Sequence, residues 1–206
     1  QIRSSNNYIL EAIVNKYDGI SMQLGCIKDD KATITKEISA ALEKSDIVVT
    51  TGGVSVGDFD FVKDVIYELG CDVVFKGVRV KPGQHIMVAR KDDKFIIGLP
   101  GFAYSSTVTA LLYLVPLIEK LQHGKCSLPT VKAKLKEPFI KRTKKAEFTA
   151  CNVSLVQGEY YADFKGKKVG SSAILTNMLG EVALLVTSED DSSKEIGDEV
   201  TVLLFG

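Results

Sequence analysis

Residues 46–58 read Asp46-Ile47-Val48-Val49-Thr50-Thr51-Gly52-Gly53-Val54-Ser55-Val56-Gly57-Asp58, a β-branched run that passes directly into a glycine-rich loop. Such a run is typical of a strand that is buried on both faces. Behind the loop, apolar residues recur at helical spacing over 61–69, and Gly70 ends that pattern. The stretch therefore predicts a strand, a glycine loop and a helix, which together form a building unit of α/β proteins.

The surrounding pattern extends this prediction over residues 1–123. Helices are predicted over 9–17, 34–42 and 105–121, the first preceded by the candidate N-caps Ser4, Ser5, Asn6 and Asn7, and the last irregular at Pro116. Strands are predicted over 20–27, 46–51, 72–75, 84–89 and 95–97. Because strands alternate with helices, we expect an α/β domain with a mostly parallel sheet and flanking helices.

The pattern changes after Gln122. Residues 124–130 have the composition of a linker, and no helical period follows them. Short strand-like runs appear instead, separated by turn signals such as Gln157-Gly158-Glu159. We expect residues 131–206 to form a small all-β barrel domain.

The composition excludes several classes of protein. The 206 residues carry 26 basic and 26 acidic side chains, so the chain lacks the positive surplus of a nucleic-acid binder. An apolar content of 45% suffices for a packed core. The uncharged stretch 95–118 is interrupted by glycine and proline, and the chain opens with polar residues, so we expect neither a membrane span nor a signal peptide. The four cysteines lack CxxC spacing, which favours reduced structural thiols in a cytoplasmic protein.

The glycine-rich loop is the strongest chemical feature of the sequence. Gly52, Gly53 and Gly57 allow positive φ angles and a close approach of the backbone to a ligand. The loop N–H groups and the N-terminus of the next helix both favour an anion. The loop matches neither a Walker motif nor the dinucleotide-binding GxGxxG. A purely structural turn is the alternative interpretation.

Four aspartates lie where open α/β sheets bind ligands. Asp58 and Asp60 precede the helix behind the glycine loop, and Asp29 and Asp30 follow the predicted strand 20–27. They can hold a divalent cation beside a bound phosphate, or they can simply cap helices. The spacing leaves both interpretations open.

Two Pro-Gly turns add further candidates. Lys81 precedes Pro82-Gly83, and this rigid turn can present its cation to an anionic substrate, although a solvated surface lysine is the alternative. Pro100-Gly101 ends another predicted strand, and Ser105 or Ser106 is expected to cap the helix that follows. The sequence contains no GxSxG motif and no Cys/His pattern, so it does not support nucleophilic catalysis.

Three motifs in this order resemble the MoeA/gephyrin family of molybdopterin molybdotransferases. They are residues 50–60, Val80-Lys81-Pro82-Gly83 and Gly98-Leu99-Pro100-Gly101. The resemblance covers residues 1–121 and, more weakly, the β-rich remainder. It implies a MogA-like molybdopterin-binding fold followed by a small β-barrel. It also implies the insertion of molybdate into adenylylated molybdopterin, with release of AMP and a requirement for Mg²⁺.

The resemblance also implies roles for individual residues. Asp29 and Asp60 fall on the family's two active-site aspartates and are the candidate magnesium ligands, and Lys81 falls on an active-site lysine. The chain departs from the family pattern at Phe102-Ala103, where the family has Asn-Pro. The implied substrate-binding residues are Thr51, Gly52, Gly53, Ser55, Gly57, Asp58, Pro100, Gly101 and Ser105.

The resemblance further implies partners. The substrate is a small pterin that the molybdopterin adenylyltransferase hands over, and family members act as homodimers whose two N-terminal domains complete the catalytic cleft. We therefore expect these 206 residues by themselves to be inactive. Three alternatives stay open: a MogA-type molybdopterin adenylyltransferase, a non-catalytic pterin-binding or scaffold module, and an unrelated α/β phosphate binder.

Overall fold

The computed structural model of the chain describes residues 4–54, 61–124, 128–171, 174–180 and 182–205. The chain forms two compact units. The first comprises residues 1–78 and 83–124, and the second comprises residues 79–82 and 125–206. Residues 79–82 therefore group with the second unit, although along the chain they lie among the first 123 residues.

The first unit has the predicted α/β character. Its helices are α1 (Asn6–Lys16), α2 (Lys31–Lys44), α3 (Phe61–Glu68), α4 (Ala103–Thr109) and α5 (Val115–Leu121), with a π-helical turn at Ala110–Leu114 between the last two. Its strands are β1 (Ile47–Thr51), β2 (Asp72–Lys76), β4 (Met87–Lys91) and β5 (Lys94–Leu99), whereas β3 (Val80–Lys81) belongs to the second unit.

The sheet of the first unit has the order β1-β5-β4-β2. β1 runs parallel to β5, but β5 is antiparallel to β4, and β4 is antiparallel to β2. The expectation of a mostly parallel sheet is therefore wrong for the part of the chain that the structure describes. The reason is local: Asp92 and Asp93 form a two-residue turn, Asp92 with φ 55°, and such a turn can only join antiparallel neighbours.

The strand predicted over 20–27 is also wrong. This segment has no regular secondary structure, and its apolar side chains are exposed, Ile20 at 99% and Met22 at 52%. A strand needs a hydrogen-bonded neighbour, and none of the described strands pairs with this segment. Alternating polarity indicates that a segment can be a strand, but it does not supply the partner.

The core of the first unit lies on both faces of the sheet. On one face, Ile38 and Ile66 of α2 and α3 pack with Val48 of β1. On the other face, Leu114 and Ile118 pack in one cluster with Val49 of β1. Burying one such side chain contributes about 1.5–3 kcal/mol, so these clusters hold the sheet between two helical layers. β1 is therefore covered on both faces, as predicted, although Val48 is buried and Val49 is only partly buried.

The long helix predicted over 105–121 runs from Ala103 to Leu121 as α4, the π turn and α5. The π turn ends directly before α5, which carries Pro116 in its first turn, so the expected irregularity takes the form of a widened turn. Ser105 and Ser106 lie inside α4, and the N-cap is Phe102, so neither serine caps the helix as predicted. No helix in the described ranges is long and apolar enough to span a membrane.

The second unit is a β-barrel, as predicted. Its remaining strands are β6 (Thr130–Leu135), β7 (Ala146–Val156), β8 (Glu159–Asp163), β9 (Val182–Thr187) and β10 (Glu199–Leu204), with a 3₁₀ turn at Leu175–Met178. They follow one another in the order β7-β8-β6-β10-β9, and the pairing of β7 with β9 closes the barrel. Leu135, Cys151 and Val202 lie in its interior.

Two cysteines are structural, as expected. Burial raises the pKa of the Cys151 thiol to about 12 and also raises the pKa of the Cys71 thiol. Both thiols therefore stay protonated at neutral pH and are poor nucleophiles. Cys26 is exposed, and Cys126 lies outside the described residues.

Candidate ligand-binding site at the carboxyl edge of the sheet

The carboxyl ends of β1 and β5 meet at one edge of the first unit. The two strands are parallel, with Thr51 opposite Leu99, and the Gly52 N–H donates to the Leu99 carbonyl at 2.9 Å. The glycine loop leaves this edge after β1, and the Pro100-Gly101 turn leaves it after β5. Two of the motifs found in the sequence are therefore adjacent in space, as the position of ligand sites in open α/β sheets requires.

Close packing explains two of the glycines at this edge. A β-carbon at position 98 would lie 2.2 Å from Cγ1 of Val54, and one at position 53 would lie 2.5 Å from Cγ2 of Val62. Gly53 also has φ 73°, a conformation that favours glycine. The start of the glycine loop is thus pressed into the core through Val54, which is 3% exposed.

Gly52 serves a different purpose. Its φ is 84°, and apart from Gly52 itself and its two neighbours in the chain, no described residue has an atom within 4 Å of the point where its β-carbon would be. The nearest atom to the corresponding point on Gly101 is Cα of Gly52, at 3.8 Å. The two turns therefore lie side by side where neither carries a side chain, an arrangement that suits the close approach of a ligand to the backbone.

The first turn of α4 adds polar groups to this edge. Its N-cap residue Phe102 provides no side-chain hydrogen bond, so the first N–H groups of the helix have no cap from it. Ser105 and Ser106 are 3% and 1% exposed. The hydroxyls of Ser106 and of Thr50 in β1 are buried and have no hydrogen-bond partner within the described ranges.

Asn6 is a contact that the sequence interpretation missed. It was one of four candidate N-caps, but the N-cap of α1 is Ser5, and Asn6 is the first residue of the helix. Its side chain is buried, and Nδ2 donates to the Gly101 carbonyl at 3.0 Å. The polar run before α1 was a real signal of a helix start, but it cannot distinguish a cap from a bridge to a distant turn.

Of the four candidate aspartates, the structure describes Asp29 and Asp30. Ser55, Gly57, Asp58 and Asp60 lie outside the described residues. Asp30 is the N-cap of α2, and its carboxylate accepts hydrogen bonds from Thr33 N and Thr33 Oγ1 at 2.9 and 2.6 Å. These bonds lower the pKa of Asp30. For Asp30 the structure therefore bears out the capping interpretation.

Asp29 is exposed and precedes the same helix. Only Ser45 and Asp46 connect α2 to β1, so helix and strand run in opposite directions and α2 starts on the carboxyl side of β1. Asp29 is consequently a candidate ligand on the same side of the sheet as the glycine loop. No cluster of three potential metal-ligating side chains occurs among the residues that the structure describes.

Lys81 lies in the second unit. In β3 it pairs with Glu147 of β7, whose buried carboxylate accepts hydrogen bonds from Thr143 N and Thr143 Oγ1 at 2.8 and 2.7 Å. Arg79, two residues before, donates to the Lys144 carbonyl and pairs with Glu189, both at 3.2 Å. The barrel therefore holds the backbone of Lys81, and its role as a substrate ligand stays a prediction.

Known proteins resemble the chain over its whole length. Residues 1–120 match the family described as "Probable molybdopterin binding domain". The chain is 31% identical over 208 residues to the Molybdopterin molybdenumtransferase of Nostoc sp., a match that covers 98% of this chain and 48% of that protein. It is 34% identical over 172 residues to the Molybdenum cofactor synthesis protein cinnamon of Drosophila melanogaster, covering 82% and 28% of the two chains.

A solved structure agrees with these matches. The molybdopterin biosynthesis moea protein from Pyrococcus horikosii has a TM-score of 0.80 and 26% sequence identity, and the match covers 100% of this chain and 49% of that one. The chain spans about half the length, or less, of these relatives. Because the family match covers more than half of its residues, the chain belongs to the molybdopterin-binding domain family, and its relatives there are MoeA-type proteins.

Proposed function

We propose that these residues form the pterin-binding part of a molybdopterin molybdotransferase, which inserts molybdate into adenylylated molybdopterin and releases AMP. The supporting observation is the contact between Gly52 and the Pro100-Gly101 turn at the carboxyl edge of the sheet, in a chain of the molybdopterin-binding family. The substrate carries phosphate groups. Accessible backbone N–H groups and a helix start suit such an anion.

The proposed role of each site residue follows from the charge and polarity of its side chain. Lys81 would neutralise part of the substrate's negative charge, and Asp29 and Asp60 would hold Mg²⁺. The pterin and its phosphates would lie against Thr51, Gly52, Gly53, Ser55, Gly57, Asp58, Pro100, Gly101 and Ser105.

The described carboxylates fit a magnesium ion at Asp29 rather than at Asp30. The Asp30 carboxylate already accepts two hydrogen bonds from Thr33, so a cation would compete with a helix cap. Both aspartates are exposed, but Asp29 is not the N-cap of α2, and carboxylate oxygens are the ligands that Mg²⁺ prefers. The bound ion would stabilise the negative charge on the phosphate oxygens as AMP leaves.

A non-catalytic pterin-binding module is the second candidate. The observation that favours it is Phe102, which is 61% exposed at the N-cap of α4, where the resembled family has a polar asparagine. An aromatic side chain there can cover a bound pterin ring but cannot donate a hydrogen bond to it. A MogA-type adenylyltransferase is the third candidate, and the barrel over residues 130–204 speaks against such a single-domain protein.

The proposal includes a cellular setting. The enzyme would act in the cytoplasm as a homodimer, and the molybdopterin adenylyltransferase would hand over its substrate. The support for this setting is the resemblance of the three motifs, together with the relatives that are named as molybdopterin molybdenumtransferases.

One experiment separates the three candidates. The full protein that carries these residues is incubated with adenylylated molybdopterin, Mg²⁺ and molybdate, and AMP is measured. We expect AMP release that requires molybdate. ATP-dependent adenylylation of molybdopterin would instead identify an adenylyltransferase, and tight binding without either reaction would identify the non-catalytic module.

A further inference from the structure

Asn6 connects two parts of the first unit that are 95 residues apart in sequence. Its Nδ2 donates to the Gly101 carbonyl at 3.0 Å. The side chain is only 7% exposed, and a buried amide is tolerated only when it is hydrogen-bonded. Gly101 and Phe102 themselves are exposed. Asn6 therefore holds the turn from its buried side while the other side faces solvent.

The direction of the Gly101 carbonyl determines the direction of the next N–H. In the described chain the cis peptide bond is Lys81-Pro82, so the peptide between Gly101 and Phe102 is trans. In a trans peptide the C=O and the N–H point in opposite directions. With the carbonyl directed at the buried Asn6 amide, the Phe102 N–H points away from Asn6, toward the exposed side of the turn.

We propose that Asn6 is a positioning residue of the pterin site: by holding the Gly101 carbonyl, it keeps the Phe102 N–H available to an anionic group of the ligand. This inference rests on the proposed function, because it takes the ligand to be the phosphorylated pterin. Gly52 lies beside the same turn, since its Cα is the nearest atom to the side-chain position of Gly101. Without the Asn6 bond, the peptide can rotate and present its carbonyl, which repels an anion.

Asn6→Asp and Asn7→Asp form a matched pair of variants. Both add one negative charge to the first turn of α1, so any effect on the helix dipole is shared. At position 6 the carboxylate cannot donate to the Gly101 carbonyl. At position 7 it can still accept the hydrogen bond that Ser4 Oγ now gives to Asn7 Oδ1 at 3.4 Å.

The first readout is affinity for adenylylated molybdopterin at pH 7.5, measured with the full protein. We expect Asn6→Asp to weaken binding about tenfold, whereas kcat at saturating ligand stays within twofold. Asn7→Asp should bind like the unchanged protein. Equal affinities for the two variants would overturn the proposal.

The second readout is the recovery of binding in acid. A protonated aspartate has the shape of asparagine and can donate to the carbonyl again. Position 6 is buried, so desolvation should raise the pKa of an aspartate there above its ordinary value of about 3.9. Relative to the unchanged protein at each pH, Asn6→Asp should therefore regain affinity as the pH falls from 7.5 to 4, but Asn6→Ala should not. A defect of Asn6→Asp that is independent of pH would show a packing role only and would overturn the proposal.

The third readout needs no pterin. Hydrogen exchange of the amides in residues 98–106 should be faster in Asn6→Asp than in Asn7→Asp, because the turn loses its anchor. If the unchanged protein binds no pterin, the proposed function fails, and this exchange alone decides whether Asn6 positions the turn. Unchanged exchange would overturn the proposal.

Discussion

Buried polar side chains in the two units differ in how they are satisfied. In the barrel, Asn177 is 3% exposed, and its amide accepts from the Lys168 N–H at 2.8 Å and donates to the Lys168 carbonyl at 3.0 Å. At the carboxyl edge of the first unit, the hydroxyls of Thr50 and Ser106 are buried without a partner among the described residues. The Asn177 amide completes a turn, whereas the hydroxyls of Thr50 and Ser106 leave hydrogen-bonding capacity unused among the described residues.

This difference separates a side chain whose hydrogen bonds hold the fold from side chains whose hydrogen-bonding capacity the described residues leave unused. An unpaired buried polar group costs about 1–3 kcal/mol, so it persists only where the surrounding packing offsets that cost. Such groups call for an explanation, and a binding role is one of the few physical ones. We therefore expect substitutions at the edge to reduce activity and substitutions at the barrel turn to reduce stability.

The largest effect is expected for Asp60→Ala, which should lower molybdate-dependent AMP release by at least about 10²-fold because the proposed magnesium ligand is lost. The free energy of unfolding should not change. Asp64→Ala, an exposed carboxylate in the first turn of α3, is the control and should keep full activity. Normal turnover of Asp60→Ala would reduce Asp60 to a helix-capping residue.

Asn177→Leu should lower the free energy of unfolding by about 2–4 kcal/mol, because the N–H and the carbonyl of Lys168 both lose their partner. Denaturant titration measures this change. Lys168→Ala keeps the backbone groups that make both bonds, so it should cost far less. If both variants lose the same unfolding free energy, the two hydrogen bonds of the Asn177 amide do not stabilise this turn.

Gly98→Ala tests the close packing beneath the glycine loop. Its β-carbon would overlap Cγ1 of Val54, and such overpacking costs about 1–3 kcal/mol of unfolding free energy. Val54→Ala removes the overlapping atoms, so the double variant should be more stable than the sum of the two single changes predicts. If the losses of unfolding free energy in the two single variants simply add up in the double variant, the loop moves away from position 98 without cost, which would contradict the close packing.

The smallest effect is expected at the Asp30 cap. Thr33 lowers the pKa of Asp30 in the folded protein, so the cap contributes stability above the unfolded pKa, about 3.9, and loses it as pH falls through the lower folded value. Asp30→Asn keeps an oxygen that accepts from Thr33 and does not titrate. The unchanged protein should therefore lose more stability than this variant between pH 5 and 2. Parallel acid titrations of the two proteins would exclude a stabilising cap.

Local patterns predicted much of the fold and part of the site. The β-branched run of β1 and the glycines after it were identified because strand burial and positive φ each require particular residue types nearby in sequence. The Pro100-Gly101 turn was identified as a strand end for the same reason. The segment 20–27 was misassigned because pairing depends on a neighbour that no local pattern specifies.

Contacts between distant residues were beyond the reach of these patterns. Asn6 has the features of a helix cap in sequence, and only the folded chain brings it to Gly101. In sequence, Lys81 lies among the residues of the α/β unit, yet its strand β3 pairs with β7 of the barrel. In both cases the partner lies more than sixty residues away.

By itself, the sequence predicted most of the helices and strands and the glycine loop, and it predicted that the loop suits an anion, because backbone conformation and side-chain polarity act over a few residues. Only the tertiary structure decided that the Gly52 and Gly101 turns lie side by side, that Asn6 anchors one of them, and that Asp30, of the two exposed aspartates, caps α2. These features depend on which distant atoms come within hydrogen-bonding or packing distance, and that is set by the packing of the whole core.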